Sequence, residues 1–122
     1  MLEVIFDSSF LMAVVETPTA WLEDLTESLG RFQPTILDCV AAELERLGSR
    51  HGKKASRARV ALELAKEFQR ARCGGGGVDD EIVSNALDRR AVVATTDAAL
   101  AKALRALHVQ TVGLRSGRVA IR

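Results

Sequence analysis

The sequence predicts an α/β fold in which a parallel β-sheet of about five strands lies between helices on both faces. Short apolar runs rich in β-branched residues alternate along the chain with longer segments whose apolar residues recur every three to four positions. Strands and helices that alternate in this way pair into a parallel sheet, because each helix returns the chain to the end of the sheet from which it started. The chain has 122 residues, 48% of them hydrophobic and 27% charged, which is typical of one globular domain covering residues 1–122.

The first half of the chain contains two predicted strands, each followed by helices. The strands are the apolar runs Leu2–Phe6 and Phe32–Leu37. Between them, a helix is predicted at Phe10–Val15, and the apolar residues of Thr19–Leu29 fall on one face of a second helix. A third helix at Cys39–Leu47 follows the second strand.

The second half begins with a basic loop, Ser49–Lys54, and a long predicted helix over Ala55–Arg72. The apolar side of this helix is expected to carry Val60, Leu62, Leu64, Ala65 and Phe68. The glycine run Gly74–Gly77 predicts a mobile loop. The remaining elements are a helix at Asp79–Asp88, a strand at Ala91–Ala94, a helix at Asp97–Leu107, and two strands, Val109–Val112 and Val119–Ile121, on either side of a turn at Gly113–Gly117.

Charge is distributed unevenly along the chain. The net charge is only +1, from 17 basic and 16 acidic residues. Residues 46–72 contain nine Lys or Arg but only two acidic residues, so their net charge of +7 leaves −6 for the rest of the chain. This pattern predicts a basic helical arm on an acidic body. The arm is either a surface that attracts a polyanion such as nucleic acid or a plain solvated helix face.

Acidic side chains follow several of the predicted strands. Asp7 comes directly after the first strand, Glu43 lies on the helix after the second, and Asp97 follows the third. Asp79, with Asp80 beside it, opens the helix that leads into the third strand. Because the carboxyl ends of parallel strands meet at one crevice, we expect these side chains to converge there.

A cluster of carboxylates predicts a divalent metal site, because close carboxylates repel one another unless one is protonated or a cation lies among them. The ligands would all be hard oxygen atoms, which favours Mg²⁺ or Mn²⁺ over Zn²⁺. Ions held in this way typically orient a phosphate and activate water for phosphodiester hydrolysis. The expected cofactor is therefore Mg²⁺ or Mn²⁺.

Each acidic residue also has a purely structural interpretation. These roles are N-cap for Asp38 and Asp97, first-turn acid for Asp79 and Asp80, and solvated charge for Glu43. Asp7 is harder to explain in this way, because it ends a buried strand, where an unpaired acid is costly. Ser8 and Ser9 could either cap the next helix or orient a metal-bound water.

Cysteine and histidine usage points away from other kinds of site. Cys39 and Cys73 predict no disulfide framework, so we expect reduced thiols and a cytoplasmic location. Neither His51 nor His108 has the spacing of a metal ligand. No apolar run approaches the roughly 18 residues of a membrane span, and Met1–Asp7 has no basic leader. We therefore expect no membrane partner.

Taken in order along the chain, these residues resemble the PIN-domain nucleases. The resemblance rests on Ile5–Ser9, Glu43, Val78–Val83 and Ala94–Asp97. Two regions are similar to the ribosomal-RNA-processing PIN nucleases of the small-subunit processome, namely Ile36–Gly48 and the pair Val78–Asp80 and Val92–Asp97. The chain resembles a minimal, archaeal-type member of that branch.

The resemblance implies a PIN fold with a catalytic and metal-binding site. Carried over to this sequence, the site residues are Asp7, Glu43, Asp79 and Asp97, with Asp80 as a neighbouring candidate ligand. Members of the family are commonly Mg²⁺- or Mn²⁺-dependent endoribonucleases and are often dimeric. The resemblance therefore also implies a homodimer.

The first functional hypothesis is a metal-dependent endoribonuclease that hydrolyses phosphodiester bonds in single-stranded RNA, in ribosomal RNA processing. The RNA phosphates would be bound by Arg50, Lys53, Lys54, Arg57 and Arg59. The alternatives are a VapC-like toxin ribonuclease of a toxin–antitoxin pair and a non-catalytic RNA-binding PIN scaffold. The protein partners would be ribosome-assembly factors under the first hypothesis and an antitoxin under the toxin hypothesis.

Overall fold

A computed structural model describes all residues from Met1 to Arg122 and contains one six-stranded sheet. The strands are β1 Leu2–Phe6, β2 Phe32–Leu37, β3 Gln69–Ala71, β4 Val92–Ala94, β5 Thr111–Arg115 and β6 Arg118–Ile121. They lie in the order β3-β2-β1-β4-β5-β6, in which the first five strands run parallel and β6 pairs antiparallel with β5. The predicted α/β class is confirmed, and the sheet has one strand more than expected.

Six helices connect the strands, in the number that the sequence predicts. They are α1 Ser8–Glu16, α2 Trp21–Leu29, α3 Asp38–Gly48, α4 Lys53–Leu64, α5 Val78–Arg89 and α6 Ala98–Ala106. None of them combines the length and the apolar content that crossing a membrane requires.

The long helix predicted over Ala55–Arg72 is wrong in its C-terminal part. α4 ends at Leu64, a single 3-10 turn follows at residues 65–67, and β3 then pairs with β2 at the edge of the sheet. The predicted apolar side is wrong at Val60, which is 52% exposed, whereas Ala65 is buried and Leu62 and Phe68 pack against the core. The helix instead buries a face of small residues: Ala55, Ala58 and Ala61. These alanines allow α4 to pack closely against α1 and α3.

The order of the strands places a crevice at the carboxyl end of β1. The chain moves from β1 to one side through β2 and β3, then crosses to the other side for β4 and β5. A point where the direction of winding reverses leaves an open cleft between the outgoing loops, which is where ligands bind in sheets of this type. The backbone remains paired up to the cleft, since the Asp7 N–H donates to the Ala94 carbonyl at 2.9 Å.

An aromatic cluster surrounds the end of β1. The ring of Phe6 lies 5.6 Å from those of Phe10 and Trp21 and 5.0 Å from that of Phe68, measured between centroids. These contacts hold α1, α2 and the segment before β3 against the last residue of the strand. The backbone that carries Asp7 is therefore fixed by buried packing directly beneath it.

β5 and β6 form a hairpin with a two-residue turn. Ser116 and Gly117 have φ angles of 50° and 76°, as a type I′ turn requires. The guanidinium of Arg118 donates two hydrogen bonds to Asp24 on α2, at 2.8 and 3.1 Å. This hydrogen-bonded pairing lowers the pKa of Asp24 and raises that of Arg118. The hairpin is thereby attached to α2.

Cys39 and Cys73 form a disulfide, which corrects the expectation of two reduced thiols. Their Cα atoms are 6.1 Å apart, and the bond joins the first turn of α3 to the segment after β3. The two residues are 34 positions apart in sequence. They become neighbours because β3 pairs with β2, the strand that leads into α3, and this pairing was not predicted.

The glycine run after Cys73 is more ordered than the predicted mobile loop. The carboxylate of Glu81 on α5 accepts hydrogen bonds from the N–H groups of Gly74 and Gly76, at 2.7 and 3.1 Å. The disulfide holds the other end of this segment. The loop that leads to Asp79 is therefore anchored on both sides.

Candidate active site

Asp7 is the buried centre of the site. It follows β1 directly and is only 6% exposed. Its Oδ2 atom accepts hydrogen bonds from the hydroxyls of Ser9, at 2.6 Å, and Thr95, at 2.8 Å. Its Oδ1 atom makes no hydrogen bond within the chain. A buried carboxylate is costly unless it is bonded, so the two hydroxyls stabilise it on one side and leave the other oxygen available to a ligand.

Thr95 is a residue of this network that the sequence did not reveal. Besides donating to Asp7, its hydroxyl accepts a hydrogen bond from the backbone N–H of Asp97 at 3.1 Å. It also lies 3.1 Å from the hydroxyl of Ser9. Thr95 is 2% exposed and follows β4, beside β1. A threonine at a strand end is usually explained by β-propensity, so only the pairing of β1 with β4 shows this role.

Glu43 is directed by the serine next to Asp7. The Ser8 hydroxyl donates to Glu43 Oε1 at 2.8 Å, which joins the start of α1 to the middle of α3. The Oε2 atom of Glu43 makes no hydrogen bond within the chain. Neither Ser8 nor Ser9 caps α1, because the N-cap residue is Asp7 and no side-chain cap bond is present. The capping interpretation of the two serines is therefore wrong, and both of them orient carboxylates instead.

Asp97 is the N-cap of α6, as one of its two interpretations predicted. Its Oδ1 atom accepts hydrogen bonds from the N–H groups of Ala99, at 2.9 Å, and Leu100, at 3.1 Å. Only one of its carboxylate oxygens takes part, so the cap fixes Asp97 in place and leaves Oδ2 without a partner. Capping and metal ligation are therefore compatible at this residue.

Asp38 does not have its predicted role. The N-cap of α3 is Leu37, and no side chain bonds the first turn of the helix. Asp38 instead forms an ion pair with Arg70 of β3, at 3.0 Å. Its charge is therefore already compensated by the neighbouring strand.

Asp79 lies within the field of the other acidic residues. It occupies the first turn of α5, and its pKa is raised, first by burial and then by the negative charges of other carboxylates. The charges that raise it are those of Asp7, Asp97, Glu43 and Asp80, in that order of size. The fold thus brings acidic groups from four separate parts of the chain into one region of negative potential.

The donor set suits a hydrated divalent ion. Asp7, Glu43 and Asp97 each have one oxygen held by the protein and one without a partner. No three His, Cys, Asp or Glu side chains are spaced to hold an ion directly. Mg²⁺ usually keeps several of its waters and takes one or two carboxylates, so these residues would hold it through a mixed shell of waters and carboxylates.

A groove of ≈ 580 Å³ lies beside Glu43, and its charged lining residues are two acidic and two basic. Among its lining residues are Ser8, Ser9, Lys54 and Arg57. The five basic residues expected to bind RNA are not equivalent in the structure. Arg57 pairs with Glu16 at 3.5 Å, and Arg59 donates to the carbonyl of Gly48 at 2.7 Å. The other three are in no ion pair: Arg50, Lys53 and Lys54.

Comparison with known proteins shows a family and several relatives to which this chain is similar. A family described as "PIN like domain" matches residues 4–117. The rRNA-processing protein FCF1 of Saccharomyces cerevisiae is 31% identical over 109 residues, which are 84% of this chain and 54% of that protein. The rRNA-processing protein fcf1 of Schizosaccharomyces pombe is 35% identical over 108 residues, 84% of this chain and 53% of that protein. The chain thus spans about half the length of these curated relatives.

A solved structure extends the comparison to the fold. The structure of the PIN domain endonuclease Utp24 superposes with a TM-score of 0.82 at 30% sequence identity. The match covers 98% of this chain and 90% of that one. The match confirms the predicted PIN fold.

Proposed function

Because this chain belongs to the PIN-like domain family, we propose that it is a divalent-metal-dependent endoribonuclease that cleaves single-stranded RNA. The observation that supports this function best is the cluster of Asp7, Glu43, Asp79 and Asp97 at the reversal point of the sheet. A structural scaffold gains nothing from such a cluster, because mutual repulsion of carboxylates opposes folding. A metal-dependent nuclease needs it.

The protein side of the mechanism follows from the hydrogen bonds of the site. Ser9 and Thr95 hold the ionised Asp7, Ser8 directs Glu43, and the α6 cap fixes Asp97. Each carboxylate therefore presents one oxygen from a fixed position, so little reorganisation is needed when charge develops on the phosphate. When bound, Mg²⁺ or Mn²⁺ supplies a Lewis acid that activates water and neutralises the phosphate.

The basic arm accounts for how an acidic cleft can attract RNA. Carboxylates alone repel a polyanion, so the attraction has to come from Lys and Arg beside them. Lys54 lines the groove next to Glu43, Lys53 precedes it as the first residue of α4, and Arg50 is in the loop between α3 and α4. Aromatic residues make up only 4% of the chain, so we propose that recognition depends on backbone charge and shape rather than base stacking.

We propose ribosomal RNA as the substrate and ribosome-assembly factors as partners. The relatives reported above are rRNA-processing proteins. No feature of the structure favours the toxin alternative. The scaffold alternative predicts no RNA cleavage, and the next test can give that result.

The variant Asp7→Asn should abolish cleavage of a single-stranded RNA in Mn²⁺ while leaving the fold intact. Asn keeps the shape of Asp and can still accept the Ser9 and Thr95 hydrogen bonds. Loss of residues that merely support metal ligands already costs about 10- to 100-fold, so we expect a loss of at least ~100-fold here. Cleavage is followed on a labelled oligonucleotide, and folding by circular dichroism and Tm.

The matched control is Asp88→Asn, which changes an exposed aspartate of α5 with no hydrogen bond to the site. It should cleave at the wild-type rate. Undiminished cleavage by Asp7→Asn would contradict the proposed function. An inactive wild-type protein whose Tm does not change on addition of Mn²⁺ would favour the scaffold.

A further inference from the structure

We propose that a second groove, which is basic and lies between α6 and the β5–β6 hairpin, binds phosphates of the same RNA strand, an inference that rests on the proposed nuclease function. The groove has a volume of ≈ 430 Å³. Thr95, Thr96 and Asp97 lie among its lining residues. The rest of its lining includes three arginines, Arg105, Arg115 and Arg122. None of these arginines belongs to the basic segment at residues 46–72.

The two grooves meet at the acidic cluster. Ser9 lines the groove beside Glu43, and Thr95 lines the groove beside Asp97. Their hydroxyls are 3.1 Å apart, and both bond the same oxygen of Asp7. A strand that lies in both grooves therefore passes directly over the carboxylates. The scissile phosphate would be held by contacts on both sides, which is the positioning that an endonuclease needs.

The arginines of the second groove are not neutralised by the protein. None of Arg105, Arg115 and Arg122 takes part in any of the five ion pairs of the structure. Asp97 is the single acidic residue of the lining. The first groove differs, because its Arg57 is paired with Glu16. Three unpaired guanidinium groups in a concave surface predict an anionic ligand, and their planar, bidentate donors suit phosphate.

Arg105 is the best-positioned of the three. Its guanidinium donates a hydrogen bond of 3.4 Å to the hydroxyl of Thr111, which directs it across the groove toward β5. It lies on α6, whose first turn is fixed by the Asp97 cap. Arg105 is eight positions after Asp97 along the helix, a rise of about 12 Å. Arg105 can therefore contact a phosphate next to the cleaved one rather than the cleaved phosphate itself.

The test measures RNA binding separately from cleavage. A fluorescein-labelled single-stranded RNA is titrated in EDTA, where no divalent ion is present, and its anisotropy is recorded at several salt concentrations. The variant is the double substitution Arg105→Gln and Arg115→Gln. The matched control, Arg31→Gln with Lys102→Gln, removes the same charge from two exposed residues that do not line the groove, one just before β2 and one on α6.

The groove variant should bind RNA about tenfold or more weakly than the control. The slope of log K against log salt should fall by about 1.4, because each phosphate contact to a single strand contributes about 0.7. Equal affinities and slopes for the two variants would overturn the proposal for the groove, even if Asp7→Asn abolishes cleavage as expected. Loss of binding to a polyglutamate peptide, with RNA binding unchanged, would overturn it in favour of an acidic protein partner.

The two proposals fail in different ways. If the groove variant loses RNA affinity but the wild-type protein does not cleave RNA in Mn²⁺, the groove is supported as a binding surface and the nuclease is not. A third measurement locates the strand: photo-crosslinking of 4-thiouridine RNA should label peptides from both α4 and residues 105–115. Labelling confined to α4 would contradict the second groove.

Discussion

At the scale of single residues, Asp79 connects the acidic cluster to a measurable pH dependence. Its pKa in the folded protein is raised above the ordinary value of 3.8, first by burial and then by four neighbouring carboxylates. The folded state therefore takes up a proton at higher pH than the unfolded state does. Ionised Asp79 destabilises the metal-free fold at neutral pH, and this cost disappears as the pH falls through the folded pKa toward 3.8.

The variant Asp79→Asn should consequently raise the Tm of the metal-free protein at pH 7. The difference from the wild type should shrink as the pH is lowered toward 4, because the folded state then binds the proton and loses the cost of the charge. Tm is measured by circular dichroism in EDTA between pH 7 and pH 4, with Asp88→Asn on the same helix as the control. A Tm difference that is constant with pH, or that grows as the pH falls, would contradict the placement of Asp79 in the cluster.

The residues that could be predicted from sequence are those whose position along a strand determines their place in space. Asp7 and Asp97 each follow a recognisable strand, so the parallel sheet alone brings them to one cleft. Thr95 is different, because its hydrogen bond to Asp7 joins residues 88 positions apart. Only the pairing of β1 with β4 indicates that contact, and no local pattern encodes which strands are neighbours.

At the scale of elements, β3 is the strand that the sequence pattern did not predict. The strand has three residues, two of them exposed, and it follows a helix without a glycine or proline to mark the boundary. In the sequence, the helical pattern of α4 therefore continues into β3 without a break. The prediction gave weight to large apolar residues such as Val60, whereas the buried face of α4 consists of alanines. Packing against α1 and α3 determines which face of α4 is buried.

The short strand β3 has a consequence for stability, because it brings Cys73 to Cys39. Closing a loop of 34 residues with a disulfide is expected to add about 3–4 kcal/mol to the free energy of unfolding, mainly by restricting the unfolded chain. The double variant Cys39→Ser with Cys73→Ser should lose about that amount in urea denaturation. Dithiothreitol should destabilise the wild type by a similar amount and leave the double variant unchanged.

A count of thiols provides an independent check on the bond. The wild-type protein, unfolded in guanidinium without reductant, should show no titratable thiol. Two titratable thiols, together with a urea midpoint that does not respond to dithiothreitol, would contradict the disulfide. Such a result would restore the original expectation of two reduced cysteines.

At the scale of the whole molecule, the net charge is small because a basic surface and an acidic surface nearly cancel. The basic segment at residues 46–72 carries +7, and the fold places its middle part, α4, against α1 and α3, where Ser8 and Glu43 lie. The negative cluster and the positive arm are therefore adjacent. Sequence predicts that both exist, but the fold determines which of the cations remain available to a ligand, because some of them bond to the protein itself.

The five cations named from sequence should therefore contribute unequally to RNA binding. Lys53→Gln with Lys54→Gln removes two charges that are in no ion pair, whereas Arg57→Gln with Arg59→Gln removes groups already bonded to Glu16 and Gly48. In anisotropy titrations with single-stranded RNA, we expect the lysine variant to lose more affinity than the arginine variant. Its slope of log K against log salt should fall by about 1.4, as the loss of two phosphate contacts requires. Because both variants lose the same net charge, a purely long-range attraction would weaken them equally. That result would mean that the arm attracts RNA without contacting it.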